Sequence, residues 1–454
     1  MRLMVFWSVI FSVLSVILGK QTKKSPQNEM KATLEGHLIL EAETLKRPPI
    51  KAGSYFRKSG RFTHEDGLRR EPLETIHPLS FAARENRRMS GISLPVKGQP
   101  VQGFSGIVHL EKNQYLATSD NGYGSRENSA DALLQFYIIE LDFTKNQVKI
   151  KQQHVLHDPD FKIPFVIVNE ASPMRYLTGA DLDPESVQKI GNYLYFGDEF
   201  GPFIIKTDLK GRVIGLFHAE IEGVPVASAD NDIIKQINTQ YEKIHKVKRS
   251  RGFEAMAAGP DNRFLYAAFE GPLLDENLEP ESENGQPFVR LLQFDTTHDR
   301  FTGIEYRYAL EEAGNSLGDF NLYSGIDGVI IERDWLEGSS KEECKNNHVL
   351  PTCFENPARF KRLYRVRLPK DNHGYLVKVS YIDLLNINDP DDISRYSKRG
   401  RFDFPFVTIE NVDIVDQNHI IVANDNNFGF SSGRNIGKND DNEFILLEAT
   451  EFLR

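Results

Sequence analysis

A unit that recurs five times between residues 105 and 425 constrains this chain more than anything else in it. Each copy opens a short strand on a polar or acidic residue and makes a turn. It then runs through a very apolar strand that ends among Asp, Glu, Asn and Gly. The opening residues are Ser105, Glu185, Glu254, Asp319 and Glu410, and the closing carboxylates are Asp120, Glu199, Glu270, Asp334 and Asp425. The intervals are 15, 14, 16, 15 and 15 positions. Two strands of about five residues joined by a tight turn fit that spacing. Strand-like runs follow several copies, at 203–208, 290–295, 362–368 and 443–448, so each repeat reads as a blade of three or four strands. Blades set around an axis make a β-propeller. The expected fold is therefore all-β, a propeller of six blades with a helical insertion. Five blades are visible; the sixth would combine amino-terminal strands (37–45 or 56–65) with a late strand. Such closure removes exposed sheet edges.

Composition narrows the class further. With 454 residues, 40% hydrophobic and 26% charged, the chain is not disordered, collagenous or a coiled coil. A net charge of −10 argues against a nucleic-acid binder and leaves room for cations or a cation-bridged anion. Residues 1–19 carry Arg2, an apolar run of about 16 residues to Leu18, and Gly19. They read as a signal peptide, since the run falls short of the ~20 residues that span a bilayer. An exported, extracellular or lumenal protein is expected, with an uncleaved anchor as the alternative. Residues 20–36 read as a flexible leader, 20–90 as leader plus strands closing the ring, and 91–454 as the propeller domain. The only cysteines, Cys344 and Cys353, fit one local disulfide; His348 alone cannot complete a zinc site. Residues 230–248 place Ile233, Ile237, Tyr241 and Ile244 at helical spacing. The basic exit of that helix (Lys243, Lys246, Lys248, Arg249, Arg251) is either a solvated face or a lure for anions.

The inner strands of a propeller face its axis, so equivalent positions converge. Glu185, Asp198, Glu199, Glu254, Glu270, Glu332, Glu410 and Asp425, with Asp120 and Asn424, would crowd there. Carboxylates at that density raise one another's pKa. A hard cation such as Ca²⁺ relieves this, as does pairing with Arg126, Lys206, Arg251, Arg333 or Arg434. The bland alternative is that strand-end acids only satisfy turn donors; acidity in every repeat favours a site. A phosphate ester suits such a site. Metal would neutralise its charge and activate water, arginine forks would hold its oxygens, and a carboxylate would serve as base. No Gly-x-Ser-x-Gly elbow is present, nor a phosphate-binding loop, a dinucleotide fingerprint or His-Glu-x-x-His. His109 and His154 are candidate bases, although a lone strand histidine is more often packed. Residues 439–443 lack the glycine and spacing of a calcium loop and read as a turn.

Five motifs carry a resemblance: Asp-Pro-Glu-Ser at 183–186, Gly-Asp-Glu-Phe-Gly-Pro at 197–202, Gly-Phe-Glu-Ala-Met-Ala at 252–257, Glu-Arg-Asp at 332–334 and Ala-Asn-Asp-Asn at 423–426. In order and number they resemble the phytase-like domain family, also described as esterase-like activity of phytase, over residues 103–447. The resemblance implies an exported β-propeller that hydrolyses phosphoesters. The calcium ligands of the better understood β-propeller phytases do not align here, so calcium rests on the carboxylates themselves. Ser105 in place of an acid, and an irregular fourth copy, count against a symmetric metal cage.

The expectation is a secreted, metal-assisted phosphoester hydrolase acting on a small anionic substrate, monomeric and with no nucleic-acid partner. Glu185, Glu199, Glu254, Glu270, Glu332 and Asp425 would bind Ca²⁺, Arg126 and Arg333 would hold phosphate, and Asp198 would act as base. The alternatives are a calcium-dependent lactonase or arylesterase assisted by His109, and a non-enzymatic propeller that binds partners on one face.

Overall fold

A computed structural model describes residues 28–61, 75–83, 88–233, 244–345 and 352–454. The segment read as a signal peptide, positions 234–243 of the expected helical insertion, and His348 lie outside the described residues. Twenty strands build the body. β1 is Thr33–Leu40. The first sheet holds β2 (Phe104–Glu111), β3 (Gln114–Ser119), β4 (Gln135–Asp142) and β5 (Gln147–Val155). The second holds β6 (Pro184–Ile190), β7 (Tyr193–Asp198), β8 (Phe203–Asp208) and β9 (Val213–His218). The third holds β10 (Phe253–Ala258), β11 (Phe264–Phe269), β12 (Gln286–Asp295) and β13 (Arg300–Ala309). The fourth holds β14 (Ser316–Leu322), β15 (Asp327–Arg333), β16 (Lys361–Arg367) and β17 (Val377–Asp383). The fifth runs β18 (Ile409–Ile414), β19 (His419–Asn424), β20 (Asn442–Glu448) and then β1.

The first strand of each sheet is innermost. β2 packs beside β6, β6 beside β10, β10 beside β14, β14 beside β18, and β18 returns to β2. This closed ring is a β-propeller, and among the described residues it closes with five four-stranded sheets rather than the six expected. The reason is the destination of the amino-terminal strand. β1 pairs with β20 and becomes the outer strand of the fifth sheet; the strands left over among the described residues form only ladders of two or three short strands. Residues 28–36, expected as flexible leader, are built in: Glu29–Met30 runs parallel to β17 through Glu29–Tyr381 and Met30–Ile382. Lys58–Ser59 forms only a two-residue ladder with Val96–Lys97. No helix among the described residues is long and apolar enough to cross a membrane. Cys344 and Cys353 form a disulfide.

Inner strands converge, so they need small residues where backbones meet. A Cβ on Gly318 would sit 2.1 Å from the Ile409 carbonyl oxygen, and one on Gly106 would sit 3.0 Å from the Val187 nitrogen. Between the sheets the filling is aliphatic and aromatic, for example Phe294, Tyr308 and Tyr364 beside Met256 and Leu265. Along the axis it is polar. Gln188 donates to Asn321 Oδ1 (2.8 Å), Asn321 donates to the Val412 carbonyl (2.5 Å), and Asp319 accepts from the Val412 amide (2.8 Å). These bonds tie three inner strands together further along the axis than the carboxylates described next.

Candidate functional site: an acidic axial well

Each inner strand breaks register near its start. The ladder skips between Phe104 and Gly106, Pro184 and Ser186, Phe253 and Ala255, Leu317 and Phe320, and Ile409 and Asn411. The skipped residues are Ser105, Glu185, Glu254, the pair Gly318–Asp319, and Glu410. A β-bulge frees one residue from the ladder and re-aims its side chain. The repeat's opening acids are thus bulge residues turned toward the axis. The closing residues directly follow the neighbouring strand, opposite the residue two positions before each bulge. The Asp120, Glu199, Glu270 and Asp425 amides donate to the Gly103, Asp183, Gly252 and Thr408 carbonyls at 2.9–3.1 Å. The fourth sheet pairs Ser316 with Arg333 in that place. One copy of the repeat therefore supplies an arginine where four supply an acid.

Arg333 is 1% exposed and lies among the carboxylates. Its Nη2 is 2.6 Å from Glu410, 2.9 Å from Glu270 and 3.7 Å from Glu254. Its Nε and Nη1 have no hydrogen-bond partner. Arg251, partly exposed, reaches Glu270 Oε2 at 2.8 Å. Both guanidinium groups stack on Trp335, at 4.5 Å (Arg333) and 4.4 Å (Arg251). Two arginines on one indole form a cationic rim on that half of the well.

Among the described residues, no arginine forms an ion pair with the carboxylates of the other half. Asp183, Glu185 and Glu199 are buried with ligand oxygens within 4.8 Å of one another, as are Glu185, Glu254 and Glu410, and Glu199, Glu254 and Glu270. Arg333 touches members of the last two groups and none of the first. Glu199 Oε1 is buried without a hydrogen-bond partner. Burial pushes the carboxyls of Glu185, Glu199 and Glu254 well up, and repulsion adds to it, chiefly from Asp183, Glu270 and Glu410 respectively. Burial also raises Asp120, Asp425 and Glu410. Asp183 is pushed up to about 6 by burial, against hydrogen bonds to Glu185 and Asn121. A buried oxygen-rich cluster whose anions are destabilised suits a hard divalent cation.

Of the residues expected at the site, Glu185, Glu199, Glu254, Glu270 and Arg333 meet here, with Asp425 close enough to raise the Asp120 carboxyl. Glu332 does not. It faces away, accepting from Tyr308 Oη (2.8 Å), Asn315 (2.8 Å) and Lys378 (3.0 Å). The register gives the cause: Glu332 opposes Leu317, the place that Asp198 has opposite Pro184, while Arg333 opposes Ser316 in the place of Glu199, and alternation along β15 turns Glu332 outward. Asp334 caps the amides of Arg359 (2.8 Å) and Phe360 (2.9 Å). Asp198, expected as base, accepts from the Asp183 amide (2.7 Å) and the Gly201 amide (2.6 Å); burial raises it to about 8. Its place is to position Asp183. Arg126 lies at the rim on the Ala180 carbonyl (2.7 Å), the Asp230 carbonyl (2.9 Å) and Asp232, apart from Arg333. Lys206 pairs with Asp299 and Arg434 with Glu443. His109 bonds its own hairpin at the Lys112 carbonyl (2.8 Å) and His154 stacks on Phe136; none of the three carboxylate groups contains a histidine. Two members were not picked out as ligands. Glu410 carries the repeat's signal, whereas Asp183 has only its place two residues before a bulge.

The architecture is that of a β-propeller with an acidic axial well. The chain belongs to the phytase-like family, described as esterase-like activity of phytase, which it matches over residues 99–428. No curated protein matches the sequence. Among solved structures it is similar to a putative 6-phosphogluconolactonase of Bacteroides uniformis (14% identity, 78% of this chain and 88% of that one, TM-score 0.28). It is also similar to a putative 6-phosphogluconolactonase of Bacteroides fragilis (12%, 78% and 90%, 0.30) and to a luciferin-regenerating enzyme (8%, 91% and 95%, 0.30).

Proposed function

We propose that this chain is an exported hydrolase of ester bonds, phosphoric esters first, assisted by a divalent cation, calcium, held by Asp183, Glu185 and Glu199. The observation that carries this is the partnerless buried oxygen of Glu199 in the carboxylate group with which, among the described residues, no arginine forms an ion pair. Bound there, the cation would polarise an ester oxygen and lower the pKa of water. The chain's own groups do the rest. Arg333 offers Nε and Nη1 to oxygens of the phosphoryl group. Glu254, raised by burial, takes the proton of the attacking water as the water oxygen bonds to phosphorus and the bond from phosphorus to the alcohol oxygen breaks; Glu254 then gives that proton to the leaving alkoxide. Asp198 and Asn121 hold Asp183 in place. The disulfide supports export, because such bonds persist in oxidising compartments. Phosphate release from a generic phosphomonoester, with calcium and with chelator, tests the reading. Turnover that disappears with chelator is expected; no turnover at any pH with calcium supplied overturns it.

A further inference from the structure

Beside the well lies an open groove of about 620 Å³. It adjoins the carboxylates through two short links: Asp181 is two residues from Asp183, and the Arg126 guanidinium lies 6.0 Å from the ring of Phe200, the neighbour of Glu199. One wall is apolar and rigid. Val166 and Val168 are 76% and 45% exposed, while Ile167 between them is buried. Backbone bonds hold this strip: the Ile167 amide donates to Glu170 (3.1 Å) and the Val168 amide to Asp181 (2.7 Å). The rest of the lining is mostly charged but internally paired. Arg126 is bound to Asp232 and to two carbonyls, and Arg249 lies 3.3 Å from Glu127 and 3.2 Å from Asp230. The lining thus counts two arginines against four carboxylates.

We propose that this groove receives the alcohol half of the substrate and selects an uncharged alcohol with an apolar face, so that the enzyme acts on esters bearing one phosphate and disfavours polyphosphorylated ones. The proposal rests on the hydrolase reading and concerns the same site. A second phosphate in the groove would meet an excess of carboxylates and arginines already committed to partners, a repulsive term that sets specificity. The exposed valines instead gain by covering apolar surface.

Binding tests this separately from turnover. Calorimetry on the full chain with calcium compares phenylphosphonate, which cannot be hydrolysed at an ester bond, with inositol hexakisphosphate. Phenylphosphonate is expected to bind the tighter. Val166→Asp, at an exposed position, should weaken it about tenfold, in the range set by small changes in apolar pockets, while affinity for inorganic phosphate stays unchanged. Glu127→Lys should narrow the gap between the two ligands. Tighter binding of the hexakisphosphate, or a phenylphosphonate affinity unmoved by Val166→Asp, overturns the groove's role. Absence of hydrolysis with these binding preferences intact overturns the catalytic reading and leaves the groove's selectivity standing.

Discussion

At the residue scale the well sets anion burial against cation supply. Glu199 and Arg333 occupy the same place in two copies of the repeat and carry opposite charge. Removing each should have opposite consequences. In chelator, Glu199→Gln replaces by a neutral amide a buried carboxylate whose burial and repulsion outweigh the pull of Arg251, so its melting temperature should equal or exceed that of the parent. With calcium the order should reverse, because the ligand's stabilisation by mass action, about 2.7 kcal/mol at a hundredfold excess over Kd, is lost along with activity. Differential scanning calorimetry with and without calcium reads both signs. Arg333→Met should destabilise by about 3–5 kcal/mol, since it leaves Glu410 buried and uncompensated and Glu270 with Arg251 alone; urea unfolding measures it. Glu332→Gln, which the sequence repeat places at the site and the fold places beside Tyr308 and Lys378, should lower stability while leaving the calcium response intact.

At the element scale, closure of the ring depends on β1. Its His37 lies between Glu443 of β20 (2.9 Å) and Ser394 (2.9 Å), and Arg434 grips Glu443 at 2.9 Å and 2.7 Å. Arg434 also stacks near Tyr396, Phe402 and Phe406. These contacts, with the Arg434 charge the largest among them, outweigh burial and hold the Glu443 carboxyl down at about 2. A carboxyl depressed on folding contributes stability that is present above its unfolded pKa near 4.5 and is lost as pH falls through the folded value. Glu443 should therefore contribute ~3 kcal/mol at neutral pH that vanishes between about pH 4.5 and 2. In Glu443→Gln, neutral stability should drop and the acid limb over that interval should flatten; denaturant titrations at stepped pH check this. The strand pairs themselves were legible because apolar runs such as 419–424 alternate with turn residues. The bulges were not, because a bulge is a mismatch between two strands and leaves no mark on either one alone.

At the scale of the whole molecule, a propeller closed by one strand near the chain's start couples the ends of the sequence. A chain beginning at Glu41 lacks β1 and both parallel residues Glu29–Met30. It should expose the edge of β20 and lose cooperative unfolding, readable as rapid limited proteolysis. The repeat, its interval and the convergence of its acids are properties of the sequence alone, because two strands and a turn need a set number of residues whatever surrounds them. The meeting of Glu185, Glu199, Glu254 and Glu270 follows from that periodicity, whereas Arg333 stands where the repeat by itself would put Asp334. The blade count, the outward turn of Glu332, the recruitment of Asp183 and the removal of Arg126 to the groove were settled only in three dimensions. Each depends on which backbone lies opposite which: on β1 choosing β20, on Arg333 rather than Glu332 standing opposite Ser316, and on loops from separate sheets meeting at one rim. Local spacing is written residue by residue, whereas opposition across the axis is a relation between segments hundreds of residues apart.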